Sequence, residues 1–245
     1  MSAELTLGVI GGLGPIATAH FMELVTVMTD ADTDQEHLEM IIHSAPSIPD
    51  RTAHILDDTK PSPLPRMVAI GRKLAQQGAG YIAIPCITAH YFIEPLKAGV
   101  PVPLVNGVRE TVAHLKEHGI KTAGIMATDG TIRTGIFRRE LESQGIDVVI
   151  PSEERQKDVM SLIYDNVKAG IPADMEKFRA VGKELFENGA QAIILGCTEL
   201  SMIKRDYKIG PGYIDAMEVL AQSAVLACGK PLKEEYRHLI TSEEV

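Results

Sequence analysis

Short apolar runs alternate with longer amphipathic stretches along this chain, and no other feature limits its fold as much. The runs cover residues 5–10, 40–43, 81–84, 102–105, 122–126, 148–150 and 192–195. They are strand-length and near-continuously apolar, which reads as strands buried on both faces. Between them, residues 65–77, 107–118, 135–144, 157–169 and 175–188 carry helical patterning. Strands alternating with helices specify an α/β fold with parallel sheets. Gly78, Gly119, Gly145 and Gly189 each follow a helical run, where a left-handed C-terminal cap is expected.

The pattern also repeats. Gln77-Gly-Ala-Gly-Tyr-Ile-Ala-Ile-Pro-Cys86 is echoed by Asn188-Gly-Ala-Gln-Ala-Ile-Ile-Leu-Gly-Cys197, with glycine, alanine and cysteine in register. Leu7-Gly-Val-Ile10 is echoed by Ala123-Gly-Ile-Met126. Any two strand–helix units look somewhat alike, but a cysteine at the same strand end in both copies weighs against coincidence. Two copies of about half the chain predict two pseudo-symmetric parallel-sheet α/β domains, with an active site in the cleft between them. The boundary is expected near Asn106–Gly107, and Gly210-Pro-Gly212 closes the second copy. The first domain is then 1–106 plus 213–245, the tail crossing back to pack on it, and the second is 107–212.

Open α/β sheets bind ligands at the carboxyl ends of their strands. Cys86 and Cys197 both fall there, just before a helix, where amide dipoles are expected to lower a thiol pKa. A single cysteine is more often a small buried hydrophobe, the reading given to Cys228. A symmetry-related pair with polar neighbours suits two-base proton transfer. One residue takes a proton from one face of a carbon and the other returns a proton to the opposite face.

The totals narrow the partners. The net charge of -9 argues against nucleic acid but leaves room for a small anionic substrate. No apolar stretch approaches the ~20 residues of a membrane span, and the start has no basic signal-peptide region. Three scattered cysteines suggest a reducing, cytoplasmic setting rather than a disulfide framework. The histidines show no metal-binding spacing, so no metal and no cofactor are expected.

Gly12-x-Gly14-x-x-Ala17 formally fits a dinucleotide fingerprint, which makes a Rossmann oxidoreductase a decoy. No acidic ribose ligand ends the second run: 40–43 finishes in His43, followed by Ser44. A carboxylate meets the same glycine-loop amides, through Gly12 and Gly14, and Thr18 adds a hydroxyl.

Four segments taken in order, Gly11-Gly-Leu-Gly-Pro-Ile-Ala-Thr18, Ile48-Pro-Asp-Arg-Thr52, Cys86-Ile-Thr-Ala-His90 and Gly196-Cys-Thr-Glu-Leu200, resemble the aspartate/glutamate racemase family. The resemblance implies a PLP-independent amino-acid racemase, usually a homodimer, with Cys86 and Cys197 as its catalytic thiols. It also implies that Arg51 binds a substrate carboxylate, against the alternative of a solvated surface arginine. Lys168 resembles the lysine that contacts the side-chain carboxylate in aspartate-type members; a helix-terminal cation is the alternative. Thr128 and Thr131, after the strand that mirrors the first, are expected to line the cleft. Thr88 and Thr198 are expected to bind substrate or cap a helix, and His90 and Glu199 to tune a thiol or hold a neighbour. Ile87 stands where the family often has Asn, and Ile16 where an acid is common; both bear on the choice of substrate. A hydantoin racemase, a maleate isomerase and a non-enzymatic ligand-binding protein are the competing readings.

Overall fold

A computed structural model of the chain describes residues 5–242. The chain divides into two compact units. One comprises residues up to Gly107 together with Glu218–His238, and the other comprises Val108–Met217 together with the residues from Leu239 onward.

In the first unit, β1 (Thr6–Gly11), α1 (Pro15–Met28), β2 (Met40–Ser44), α2 (Arg51–Leu56), α3 (Leu64–Gln76), β3 (Ala79–Ala83) and α4 (Ile93–Gly99) follow in order. The strands form a parallel sheet in the order β2-β1-β3. Its core packs Ile10, Ile82 and Ile84 against Met67, Ile70 and Leu74 of α3 and Leu96 of α4. Gly8 lies on the central strand because α3 crosses there. A Cβ at Gly8 would stand 3.2 Å from Leu74 Cβ and 2.9 Å from Ala79 Cβ.

The second unit begins within α5 (Gly107–Glu117) and continues through β4 (Thr122–Met126), α6 (Asp129–Thr134), α7 (Ile136–Ser143), β5 (Asp147–Val149), α8 (Glu153–Ser161), α9 (Met175–Glu187), β6 (Ala192–Leu195), α10 (Thr198–Asp206) and β7 (Tyr213–Asp215). Its parallel sheet runs β5-β4-β6-β7. The first three strands repeat the order of the first unit, so the internal echo is also a topological one. Phe178, Val181 and Leu185 of α9 pack on Ile193 and Leu195 of β6 to form its core. The helix α11 (Ala216–Ala227) starts in the second unit and continues in the first.

Several expectations need correction. Residues 102–105 do not form a strand: they make one parallel bridge, Leu104 to Ile82. Pro101 and Pro103 have no N–H to give to a ladder, and only the Pro103 carbonyl and the Val105 amide bond with Ile82. Residues 213–217 do not join the first unit, because β7 pairs with β6. The last described residues also stay with the second unit: Thr241 N donates to Tyr213 O, and Gly212 N donates to Thr241 O. The tail therefore belongs partly to each unit. The helix expected over 157–169 starts earlier, as α8, and its later part Leu162–Val167 widens into a π-helix. Arg51 is not in a turn; it is the first residue of α2, where Asp50 caps the helix by accepting a bond from Ala53 N at 2.7 Å.

No helix among the described residues is long and apolar enough to cross a membrane.

Candidate active site

The loop after β1 is shaped by its own hydrogen bonds. Gly12 has φ of +88°, and a Cβ there would overlap the backbone nitrogen of Ala45. Gly12 N donates to Thr18 Oγ1 at 2.8 Å, and Thr18 Oγ1 donates to Gly14 O at 3.0 Å. This corrects two expectations. The Gly12 amide and the single Thr18 proton are both committed inside the loop, so they shape the turn rather than reach a ligand. Arg51 crosses to the same loop: Nη2 donates to Leu13 O at 3.3 Å, while Nη1 donates to Pro49 O at 3.2 Å. Its guanidinium is thus held between the loops that follow β1 and β2.

Cys86 follows β3 and occupies the N-cap position of the 3-10 turn Ile87–Phe92. It is 6% exposed. His90 lies one turn on, and its Nδ1 meets Cys86 O at 3.1 Å. Only a protonated Nδ1 can bond a carbonyl oxygen, which fixes the ring tautomer. Burial pushes the His90 pKa below its ordinary 6.5, outweighing backbone contacts that raise it. His90 is therefore a neutral brace for the Cys86 backbone, its Nδ1 bonded to that carbonyl and not to the sulfur. Thr88 is buried in the same turn. Ile87 is buried as well, with its Cδ1 close against Gly107, so it packs inside the first unit. Ile16 is different: at 66% exposed, it is the most open large apolar side chain among the described residues.

Cys197 follows β6 and is the N-cap residue of α10. Its Sγ donates to Glu199 Oε2 at 2.8 Å. Thr198 Oγ1 donates to the same oxygen at 3.1 Å, and Lys168 Nζ stands 3.6 Å from Oε1. Lys168 also lies over the Tyr164 ring, 4.5 Å from its centroid. The expected lowering of the thiol pKa does not hold here. Burial, then the Glu199 charge and its hydrogen bond, raise Cys197 well above the ordinary thiol value, while Lys168 and the Glu199 backbone N–H pull it down less strongly. Cys197 is a protonated thiol whose proton points at a carboxylate.

Thr128 caps α6: its Oγ1 accepts from Thr131 N at 3.3 Å and lies 3.2 Å from Thr131 Oγ1. Both hydroxyls are buried. Within the second unit the structure thus joins Cys197, Thr198, Glu199 and Lys168 in one network. Within the first it joins Gly12, Gly14, Thr18 and Arg51 in one loop pair, and Cys86 with His90. Tyr164 escaped sequence reasoning as a site residue, although its i, i+4 spacing from Lys168 was available as a signal. Gln156 escaped too. Its Nε2 donates to Ala127 O at 3.0 Å and to Asp129 Oδ1 at 2.8 Å, which steadies the loop carrying Thr128.

All three cysteines are free and buried. Among the described residues, no group of three or more His, Cys, Asp or Glu side chains could hold a metal ion.

The sequence model of the Asp/Glu/hydantoin racemase family matches residues 10–224. The chain belongs to that family. An aspartate racemase of Picrophilus torridus has a similar structure, with a TM-score of 0.81 and 32% identity over 96% of this chain and 99% of that one. The broad specificity amino-acid racemase RacX of Bacillus subtilis is 28% identical over 230 residues, which is 89% of this chain and 96% of RacX. An aspartate racemase homologue from Pyrococcus horikoshii, 20% identical with a TM-score of 0.73 over 91% of this chain and 98% of that one, shares the fold. As a member of this racemase family, the chain is an isomerase of the amino-acid racemase type.

Proposed function

We propose that the protein racemises a small anionic amino acid without a cofactor, using Cys86 and Cys197 on opposite faces of the α-carbon. One observation carries this reading. In each unit the strand that follows the sheet's first crossover pair, β3 or β6, runs into a cysteine at the N-cap of the next helical segment. In the direction that starts with Cys197 protonated, Cys86 is the base and Cys197 the acid. The Cys86 thiolate takes the α-proton, and the electron pair left on carbon is delocalised into the carboxylate. Cys197 then gives its proton to the other face, leaving Cys86 as thiol and Cys197 as thiolate. Lys168 offsets the charge that appears on Cys197 beside Glu199. The reverse direction starts from the opposite pair of protonation states.

Arg51 is suited to the α-carboxylate by its planar fork. Lys168, 31% exposed at its side chain, is suited to a second carboxylate. Aspartate and glutamate are therefore the first substrates to try, with a wider panel because RacX carries a broad-specificity name. A cytoplasmic location and a homodimer go with this reading. Light scattering after size-exclusion chromatography tests the dimer.

The deciding experiment incubates wild type, Cys86→Ser and Cys197→Ser with each enantiomer in deuterium oxide. Chiral chromatography and mass spectrometry then read inversion and α-deuteration. Wild type is expected to do both, and each serine variant to lose two-way inversion by about 10²–10⁴-fold. Neither inversion nor exchange across the panel would sink the proposal.

A further inference from the structure

The second unit holds a cavity of about 590 Å³ lined by none of the site residues expected from the sequence. That volume lies within the range of small-molecule sites, about 300–1,000 Å³. Its apolar wall is Ile132, Ile150, Pro151, Met160 and Tyr164. Its polar wall holds three carboxylates, Asp129, Glu153 and Asp165, against one ammonium, Lys157. Gln156 also lines it, with its Oε1 sealed from solvent and its amide nitrogen committed to Ala127 O and Asp129 Oδ1. The wall thus offers acceptors in excess of donors beside an apolar surface. A carboxylate ligand would meet like charge there, whereas an ammonium would find compensation from Asp129, Glu153 and Asp165.

The cavity also touches the catalytic network from behind. Tyr164 lines it and lies under Lys168, and Lys168 stands at Glu199, which takes the Cys197 bond. Asp129 lines it and follows Thr128, the α6 cap. Tyr164 itself sits in Leu162–Val167, which is π-helical, a form that inserts into α-helices mostly at functional places.

We propose that this cavity is a second binding site for a small organic cation with an apolar body, and that its occupancy reaches Lys168 through Tyr164. The site is separate from the one that receives the anionic substrate, and it has the opposite charge preference.

The test uses the full chain and does not depend on turnover. Benzylamine is titrated by calorimetry, with benzoate and benzyl alcohol as matched controls. A ligand of this size in a formed pocket is expected to reach a Kd of about 1 mM. Glu153→Gln is expected to weaken it about threefold, and Ile150→Trp, which fills the cavity, to abolish it. Both variants should keep the wild-type circular dichroism and melting temperature. Saturating benzylamine should also change the alkylation rate of Cys197 in a Cys86→Ser background, as the Lys168 contact shifts. Lack of saturation at about 10 mM, equal binding of benzoate, or undiminished binding by correctly folded Ile150→Trp would overturn the second site. An unchanged Cys197 rate at saturation would overturn the link to Lys168. Because calorimetry reads binding alone, these failures differ from a failure of the racemase reading, which appears as absent inversion.

Discussion

Glu199 decides how Cys197 behaves. A carboxylate 2.8 Å from the sulfur makes loss of the thiol proton costly, and Lys168 on its other oxygen limits that cost. Two substitutions should therefore move the thiol in opposite directions. Glu199→Gln removes the like charge and is expected to lower the Cys197 pKa. Lys168→Met removes the compensating charge and is expected to raise it. In a Cys86→Ser background, the pH dependence of iodoacetamide alkylation reports Cys197 against Cys228, which is fully buried and pushed up to about 11. A Cys197 profile unchanged by either substitution would show that the contact with Glu199 does not set the thiol. The cysteine pair itself was legible in the sequence because each copy of the repeat carries it. The sign of its pKa was not: helix position alone argued downward, and only the Glu199 side chain folding back on Sγ shows why burial and charge prevail. Thr18 misled for a similar reason, since a hydroxyl four residues past a glycine turn says nothing about where its proton goes.

At the scale of elements, the loops that follow the strands carry the chemistry, and their shape rests on backbone fit. Gly12 combines a left-handed φ with contact against Ala45. Gly12→Ala is expected to cost about 1–3 kcal/mol in strain, with the overlap added to it. Urea denaturation at neutral pH checks this; a change under about 0.5 kcal/mol, typical of neutral surface sites, would mean that the loop relaxes freely. The strands 122–126 and 192–195 could be read to the residue, because each is a short run dominated by buried apolar residues that begins directly after a polar one, Lys121 or Gln191. Residues 102–105 were apolar enough to look the same, but prolines at 101 and 103 remove the donors a ladder needs. The π-helical stretch was invisible, since a single widened turn leaves the apolar spacing of 157–169 almost intact. The start of α2 was readable in hindsight from Asp50, an N-cap residue directly before Arg51.

Across the whole molecule, stability should depend on pH at both ends. His90 is held neutral by burial, so its folded pKa lies below the ordinary 6.5. An unfolded chain takes up that proton first as pH falls, so the contribution of His90 is complete above about pH 6.5 and is lost as pH drops through the folded value. Cys197 and Cys228 are shifted the other way. Their contribution is complete below the ordinary thiol pKa of about 8.5 and fades as pH rises, for Cys228 toward about 11. Denaturation midpoints measured across pH should fall on both flanks. His90→Gln should flatten the acid flank and Cys228→Ala the alkaline one; an acid flank equally steep in His90→Gln would remove histidine as its cause. At this scale the sequence was clear about two copies of one α/β plan, and it misplaced the tail. Nothing in residues 213–217 marks which sheet they join, because β7 has no counterpart in the first copy to be recognised by.

That tail has a consequence for how the protein is made. Leu5 N bonds to Cys228 O, and Met28 O accepts from Lys233 N, so the earliest strand and helix are finished by residues synthesised more than two hundred positions later. Thr241 then ties Gly210, Gly212 and Tyr213 together. Domains that occupy unbroken stretches of chain can mature one after the other as they leave the ribosome. Here neither half is whole until these late residues have emerged, so the two acquire their final form together rather than one after the other. A stop codon after residue 212, which spares both cysteines, should therefore leave two unfinished halves and no surviving partial fold.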